Sequence, residues 1–169
     1  EAALRTKDFG GFELLSLSDY TGQSTATVGI LDVFYESKGL ISHDEFKNFA
    51  GEAVPLFKAK RIFKNTDTLE AELDLYDFGE KKINNPVYNL TVQNGKQVFY
   101  KTSTTESKVS IPLNSITKST MLSVILEVNG YKNTWRIFVF AENKIENNVS
   151  MIKSEEELDD IIKNGGKAI

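Results

Sequence analysis

Three side chains in one short polar loop, Asp19, Tyr20 and Gln23, are the residues of this chain best placed to do chemistry. A carboxylate, a phenol and an amide so close in sequence can hydrogen-bond a polar ligand. The same residue types also do local work. Asp19, Ser18 or Thr25 could cap a following helix, and Gln23 could fix the loop. Residue types alone leave both uses open. Elsewhere the chemistry is sparse. His43 is the one histidine and there is no cysteine, so no thiolate site exists and no second imidazole can share a metal. A lone histidine in the first turn of an exposed helix is far more often a surface residue than a ligand. No phosphate loop or nucleophile motif is present.

The loop must be held by what flanks it. Phe12, Leu14, Leu15 and Leu17 make an apolar run of strand length, ended by the polar stretch Ser18 to Ser24. From Ala26 the spacing of Val28, Leu31, Val33, Phe34 and Tyr35 predicts a helix, stopped at Gly39. A strand, a polar loop and a helix form a βα unit. A strand apolar on both faces needs parallel neighbours and covering helices, and the chain has no further βα repeats to supply them.

The run from Leu4 to Gly39 resembles the last strand and last helix of the catalytic barrel in glycoside hydrolase family 2, the β-galactosidase and β-glucuronidase relatives. The residues that carry the resemblance are Arg5, Thr6, Gly11, Phe12, Glu13, Leu14, Leu15, Leu17, Asp19, Tyr20, Gly22, Gln23, Thr25, Ala26, Val28 and Gly29. Glu13 and Ser24 depart from it, standing where the family has Gln and Gly. The resemblance implies the last βα unit of a TIM barrel at residues 1–56, linker helix included, with Asp19, Tyr20 and Gln23 at the substrate-binding face, meeting sugar hydroxyls. It also implies a parent enzyme that hydrolyses glycosidic bonds, needs no cofactor and works in the periplasm or outside the cell. Retaining glycosidases use two carboxyl groups across the scissile bond. In the resembled family these are glutamates of earlier barrel strands, which no position here matches. Glu13 falls inside the strand and Glu36 on the helix, so no catalytic residue is assigned.

Composition fits a globular protein of 169 residues, 40% hydrophobic, without a signal peptide or an apolar run of membrane-spanning length. The net charge of −4 is unevenly spread. Residues 1–57 carry 4 basic and 9 acidic side chains, residues 58–141 carry 12 and 8, and residues 142–169 carry 4 and 7. The basic excess of the middle is scattered, which argues for a solvated surface and against a nucleic-acid partner. The partners expected are carbohydrate in the parent enzyme and the remainder of the parent polypeptide, with no nucleic acid and no membrane. Because the apolar strand lacks neighbours, residues 1–40 are expected either to be rearranged against the sandwich or to be buried in a self-association contact.

After the βα unit, Ser42 and Glu45 form a capping box that opens a short helix, and Pro55 reads as its end. From Lys58 the periodicity becomes two. Seven strands are expected, near 58–64, 69–77, 86–93, 97–103, 107–112, 121–129 and 132–141, with type I′ turns at Asn94-Gly95 and Asn129-Gly130. The fold class is therefore mainly β, a seven-stranded immunoglobulin or fibronectin-like sandwich at 57–143, preceded by the short α/β segment and followed by a C-terminal helix. Its expected core is Leu90, Val92, Val98, Val109, Ile111, Leu122, Val124, Leu126, Trp135, Ile137 and Val139. The strand Asn133-x-Trp135-x-Ile137-x-Val139 also resembles the closing strand of the domain after the barrel in the same family. Tyr76, Tyr88, Phe99, Tyr100, Tyr131 and Trp135 could form a sugar-stacking platform, but aromatics in strands are more often core. The sequons at Asn89 and Asn148 are expected by chance. Beyond Asn143 a second capping box at Ser154 and Glu157, an apolar stripe of Leu158, Ile161 and Ile162, and Gly165-Gly166 mark a helix. Lys167 to Ile169 reads as the start of a strand, so 144–169 is expected to be the beginning of a further domain and both ends to be cut from a longer protein.

Overall fold

The computed structural model describes residues 2–6, 9, 11–22, 27–142, 149–150 and 152–168. The chain is mainly β, with two sheets enclosing one core and a few short helices. A first turn of helix, α1 (Ala2–Arg5), precedes α2 (His43–Ala50). Eight strands follow: β1 (Ala53–Lys58), β2 (Ile62–Lys64), β3 (Thr68–Asp77), β4 (Tyr88–Asn94), β5 (Gln97–Thr104), β6 (Lys108–Pro112), β7 (Thr120–Val128) and β8 (Tyr131–Phe140). One sheet runs β1-β3-β6 and the other β2-β8-β7-β4-β5. The C-terminal part is a two-residue strand β9 (Val149–Ser150), helix α3 (Glu155–Lys163) and β10 (Lys167–Ala168), with β9 and β10 parallel.

Alternation builds the core. Leu69, Ala71 and Leu73 of β3 point inward while Glu70 and Glu72 face water. Asn133, Trp135, Ile137 and Val139 of β8 do the same between exposed neighbours. Ten of the eleven expected core residues are buried, and Val98 is the exception at 51% exposed. A bulge explains it. Val92 pairs with Tyr100 and Gln93 with Val98, so Phe99 is an extra residue that packs toward the core in its place.

The expected strand 58–64 is corrected to two. The chain leaves the first sheet at Lys58 and joins the second at Ile62, where β2 runs parallel to β8. Arg61, at this crossing, sets its guanidinium 5.6 Å from the Phe57 ring centre and 5.9 Å from that of Trp135. Pro55 does not end the helix. It lies inside β1, which tolerates a missing N–H because it is an edge strand. Asn129-Gly130 is a two-residue loop with both φ positive, 51° and 86°, as a type I′ turn requires. The β4–β5 loop is instead Gly95-Lys96, and of the two only Gly95 has positive φ.

The larger correction falls on residues 11–39. The expected strand at 12–17 and helix from 26 to 38 are absent among the described residues, which form two isolated bridges, Ser18 to Leu31 and Leu31 to Ser37. Ser16 sits at φ 68°, which breaks any strand there. A turn replaces the helix. Asp32 Oδ1 accepts from the backbone N–H of Phe34 at 2.8 Å and of Glu36 at 2.9 Å, with Tyr35 at φ 65°. Thr27, Val28, Ile30 and Val33 are poor helix formers, and a short helix needs a packed apolar face. Among the described residues no such face forms, and Val28, Phe34 and Tyr35 stand 64%, 79% and 68% exposed.

Candidate functional site

The loop singled out by sequence is held by one carboxylate and one ammonium. Lys38 Nζ donates to both oxygens of Asp19 at 3.0 Å and also reaches the carbonyls of Thr27 and Gly29 at 3.1 Å. Asp19 Oδ1 further accepts from the Gly29 N–H at 2.9 Å. The side chains of the pair are 24% and 10% exposed for Lys38 and Asp19. Backbone bonds from Asp19 N to Leu31 O and from Leu31 N to Leu17 O, each 3.0 Å, complete the crossing.

Two glycines lie at this crossing. Of these, Gly29 is the strict one, since a Cβ there would collide with the backbone of Ser18 and Asp19, whereas one on Gly22 would meet only the outer end of the exposed Tyr20 ring, which can swing away. Asp19 is thus committed to Lys38 and Gly29. The helix-capping use expected of Asp19 is not realised, because the described residues 27–42 form no helix and its carboxylate secures a loop instead. Tyr20 is 63% exposed and free to meet a ligand. Gln23, the third residue of the set, lies outside the described residues. Lys38 was missed by sequence reasoning, because no local signal marks a lysine nineteen residues away as the partner of Asp19.

The segment is tied to the two-sheet unit at two places. Arg5 donates to the Phe57 carbonyl at 3.1 Å, and Leu4 is buried with Val54 and Leu56 on the outer side of β1. The Phe12 ring lies 6.0 Å from that of Phe49 on α2. The capping box of α2 is formed, with Glu45 N–H on Ser42 Oγ at 3.2 Å and Ser42 N–H on Glu45 Oε2 at 2.9 Å. These bonds, the Ser42 backbone first and its hydroxyl second, hold the Glu45 carboxyl below its ordinary value. Asn133, buried in β8, donates to the carbonyls of Asn48 at 2.9 Å and Pro55 at 3.3 Å and so ties α2 to both sheets.

The six aromatics that could form a platform are not gathered on one exposed face, and Phe99 and Tyr100 pack partly against the core. Trp135 and Tyr88 are buried, Tyr76 packs on Phe78 at 4.5 Å, and Tyr131 gives its hydroxyl to Glu52 at 3.1 Å. His43 is exposed at the first turn of α2. Among the described residues no three His, Cys, Asp or Glu side chains converge as a metal site, and no helix is long and apolar enough to cross a membrane.

A family profile described as a domain of unknown function, DUF8488, matches residues 67–141. That stretch runs from the start of β3 to the end of β8 and omits β1, β2 and everything before them. None of the curated proteins matches the chain. Among solved structures it is similar to the three N-terminal domains of the Highly Immunogenic Outer Capsid protein (Hoc) of bacteriophage RB49, at 11% identity and a TM-score of 0.38, over 60% of this chain and 35% of that one. It is also similar to the sulfur carrier protein SoxY from Chlorobium limicola f thiosulfatophilum, at 11% identity and a TM-score of 0.30, over 53% of this chain and 79% of that one.

Proposed function

We propose that the chain is the C-terminal accessory part of a glycoside hydrolase of the periplasm or cell exterior, non-catalytic by itself, with an immunoglobulin-like domain at 57–143. One observation carries this reading: several positions of the resemblance at residues 5–29 make or adjoin the lock that Asp19 forms with Lys38 and Gly29. Asp19 and Gly29 are in the lock, Gly22 lies under Tyr20, and Phe12, Leu14, Leu15 and Leu17 are 43%, 51%, 85% and 60% exposed. Four apolar side chains beside a fixed polar loop form a surface that neighbouring barrel strands of the parent would cover. In that setting Asp19 positions the loop, and Tyr20, with Gln23, meets the sugar. The alternative is a non-catalytic carbohydrate- or protein-binding sandwich; its sugar-platform form has less support with Trp135 and Tyr88 buried.

The test is enzymatic. The purified chain is expected to release no product from aryl glycosides, whereas a parent chain extended toward its N-terminus is expected to do so through two barrel-strand glutamates. Release by residues 1–169 that persists on repurification and disappears in Asp19→Asn or Glu13→Gln overturns the reading.

A further inference from the structure

The C-terminal elements lack the means to be stable alone. β9 and β10 hold two residues each, and α3 holds nine, none of them buried. A helix of that length and a two-stranded pair are each marginal in water without a surface to pack against. α3 has one to offer. Leu158, Ile161 and Ile162 share a side at i, i+3 and i+4, and Ile162 is 61% exposed. The rest of the helix carries Glu155, Glu156, Glu157, Asp159 and Asp160 against Lys163.

The five-stranded sheet has a matching deficit on its outer face. Ile62, Phe138 and Met121 stand opposite one another in a row across β2, β8 and β7, and Phe140 extends the row along β8. They are 66%, 43%, 43% and 53% exposed in that order. By register the same face carries Lys64, Lys101, Lys132 and Arg136 against Glu127, with Lys64 opposite Phe140 and already on the Glu142 carboxylate at 2.9 Å, and Arg136 two residues from Phe138. The charges of the two surfaces are opposite in sign, and the apolar side chains of each are only exposed or half-buried.

We propose that α3 docks its Leu158, Ile161 and Ile162 side on the corner formed by Ile62, Met121, Phe138 and Phe140, with its carboxylates toward Arg136. Chain continuity favours this occupant. Phe140 is itself part of the corner, and α3 begins at Glu155 of the same chain, near enough in sequence for the helix to fold back on it. A helix laid across a sheet face is the ordinary way to bury both.

The absence of cysteine makes the test direct. Met121→Cys and Ile162→Cys, both at exposed positions, are to be joined by a short bis-maleimide in dilute protein. Intramolecular closure is expected about tenfold faster than for Ser110→Cys with Ile162→Cys, whose first site lies on the outer face of the other sheet. Arg136→Glu is expected to slow closure, and adding Glu156→Lys to restore part of it. Equal rates in the two pairs overturn the proposal. So does a cross-link that forms only between chains, which assigns the corner to a second copy.

Discussion

Asp19 illustrates how a residue suited to binding can be taken up by structure. Its carboxylate already meets three donor contacts, two from Lys38 Nζ and one from Gly29 N–H. Lys38→Met removes the cation and leaves a mostly covered carboxylate with the amide alone. The expected result is faster hydrogen exchange at the Asp19 and Leu31 amides, with a change of less than about 1 kcal/mol in the stability of the two-sheet unit, since partly exposed pairs contribute little. Unchanged exchange at those amides shows that the pair does not hold the loop. Trp135 is the opposite case. It is buried, its ring centre is 5.5 Å from that of Phe57 on the facing sheet, and Trp135→Ala is expected to cost ~3–5 kcal/mol. A denaturant midpoint implying less than about 1 kcal/mol contradicts that role. Glu45 gives a pH test. Its folded carboxyl lies below the ordinary 4.5, so its contribution to the α2 cap is full above that value and is lost as pH falls through the lowered one. Protection of the first-turn amides of α2 is expected to fall in that acid range, and Glu45→Gln to flatten the profile.

At the scale of elements, the legible parts were those whose pattern is local. β3 and β8 alternate so regularly that their buried sides followed from sequence, and the α2 cap followed from Ser42 and Glu45. The C-terminal stop of α3 was legible too: Gly165 at φ 69° and bonds from Gly165 to Ile162 and from Gly166 to Ile161 form a Schellman end. The second capping box is only half made, because Glu157 turns to the Lys153 N–H instead of the cap's own. What failed depended on tertiary context. The split of 58–64 is set by which sheet has room, and the helix from 26 to 38 required a surface that is not there. Of the candidate site, the loop and Asp19 were legible and Lys38 was not, because its partnership arises from a fold-back of nineteen residues. Asn133 was visible only as part of a strand motif. Its two carbonyl partners on α2 and β1 predict that Asn133→Ala costs about 1–3 kcal/mol and loosens α2 first, measurable as lower helix protection before global unfolding.

For the whole molecule, the question is whether residues 1–52 belong to the two-sheet unit or are attached to it. The core that joins the sheets draws on Phe57, Phe63, Leu69, Leu90, Trp135 and others, all beyond residue 52. The attachment is a smaller cluster in which Leu4 covers Val54 and Leu56, with the Arg5 bond to the Phe57 carbonyl beside it. Deleting residues 1–52 keeps every strand of both sheets and exposes the outer side of β1. It also removes the Asn48 carbonyl from Asn133 while leaving that of Pro55, and takes Glu52 from Tyr131. Uncovering Val54 and Leu56 costs roughly 1.5–3 kcal/mol for each side chain at most, well below the cohesion of a core spanning eight strands. The shortened chain is therefore expected to stay folded and melt cooperatively at a lower temperature. It is also expected to self-associate less by light scattering, because Leu14, Leu15, Leu17, Phe34 and Tyr35 leave with the deleted segment. A deletion that unfolds the sheets makes residues 1–52 an integral layer of one domain, and removes the physical ground for treating them as a surface prepared for the rest of a larger enzyme.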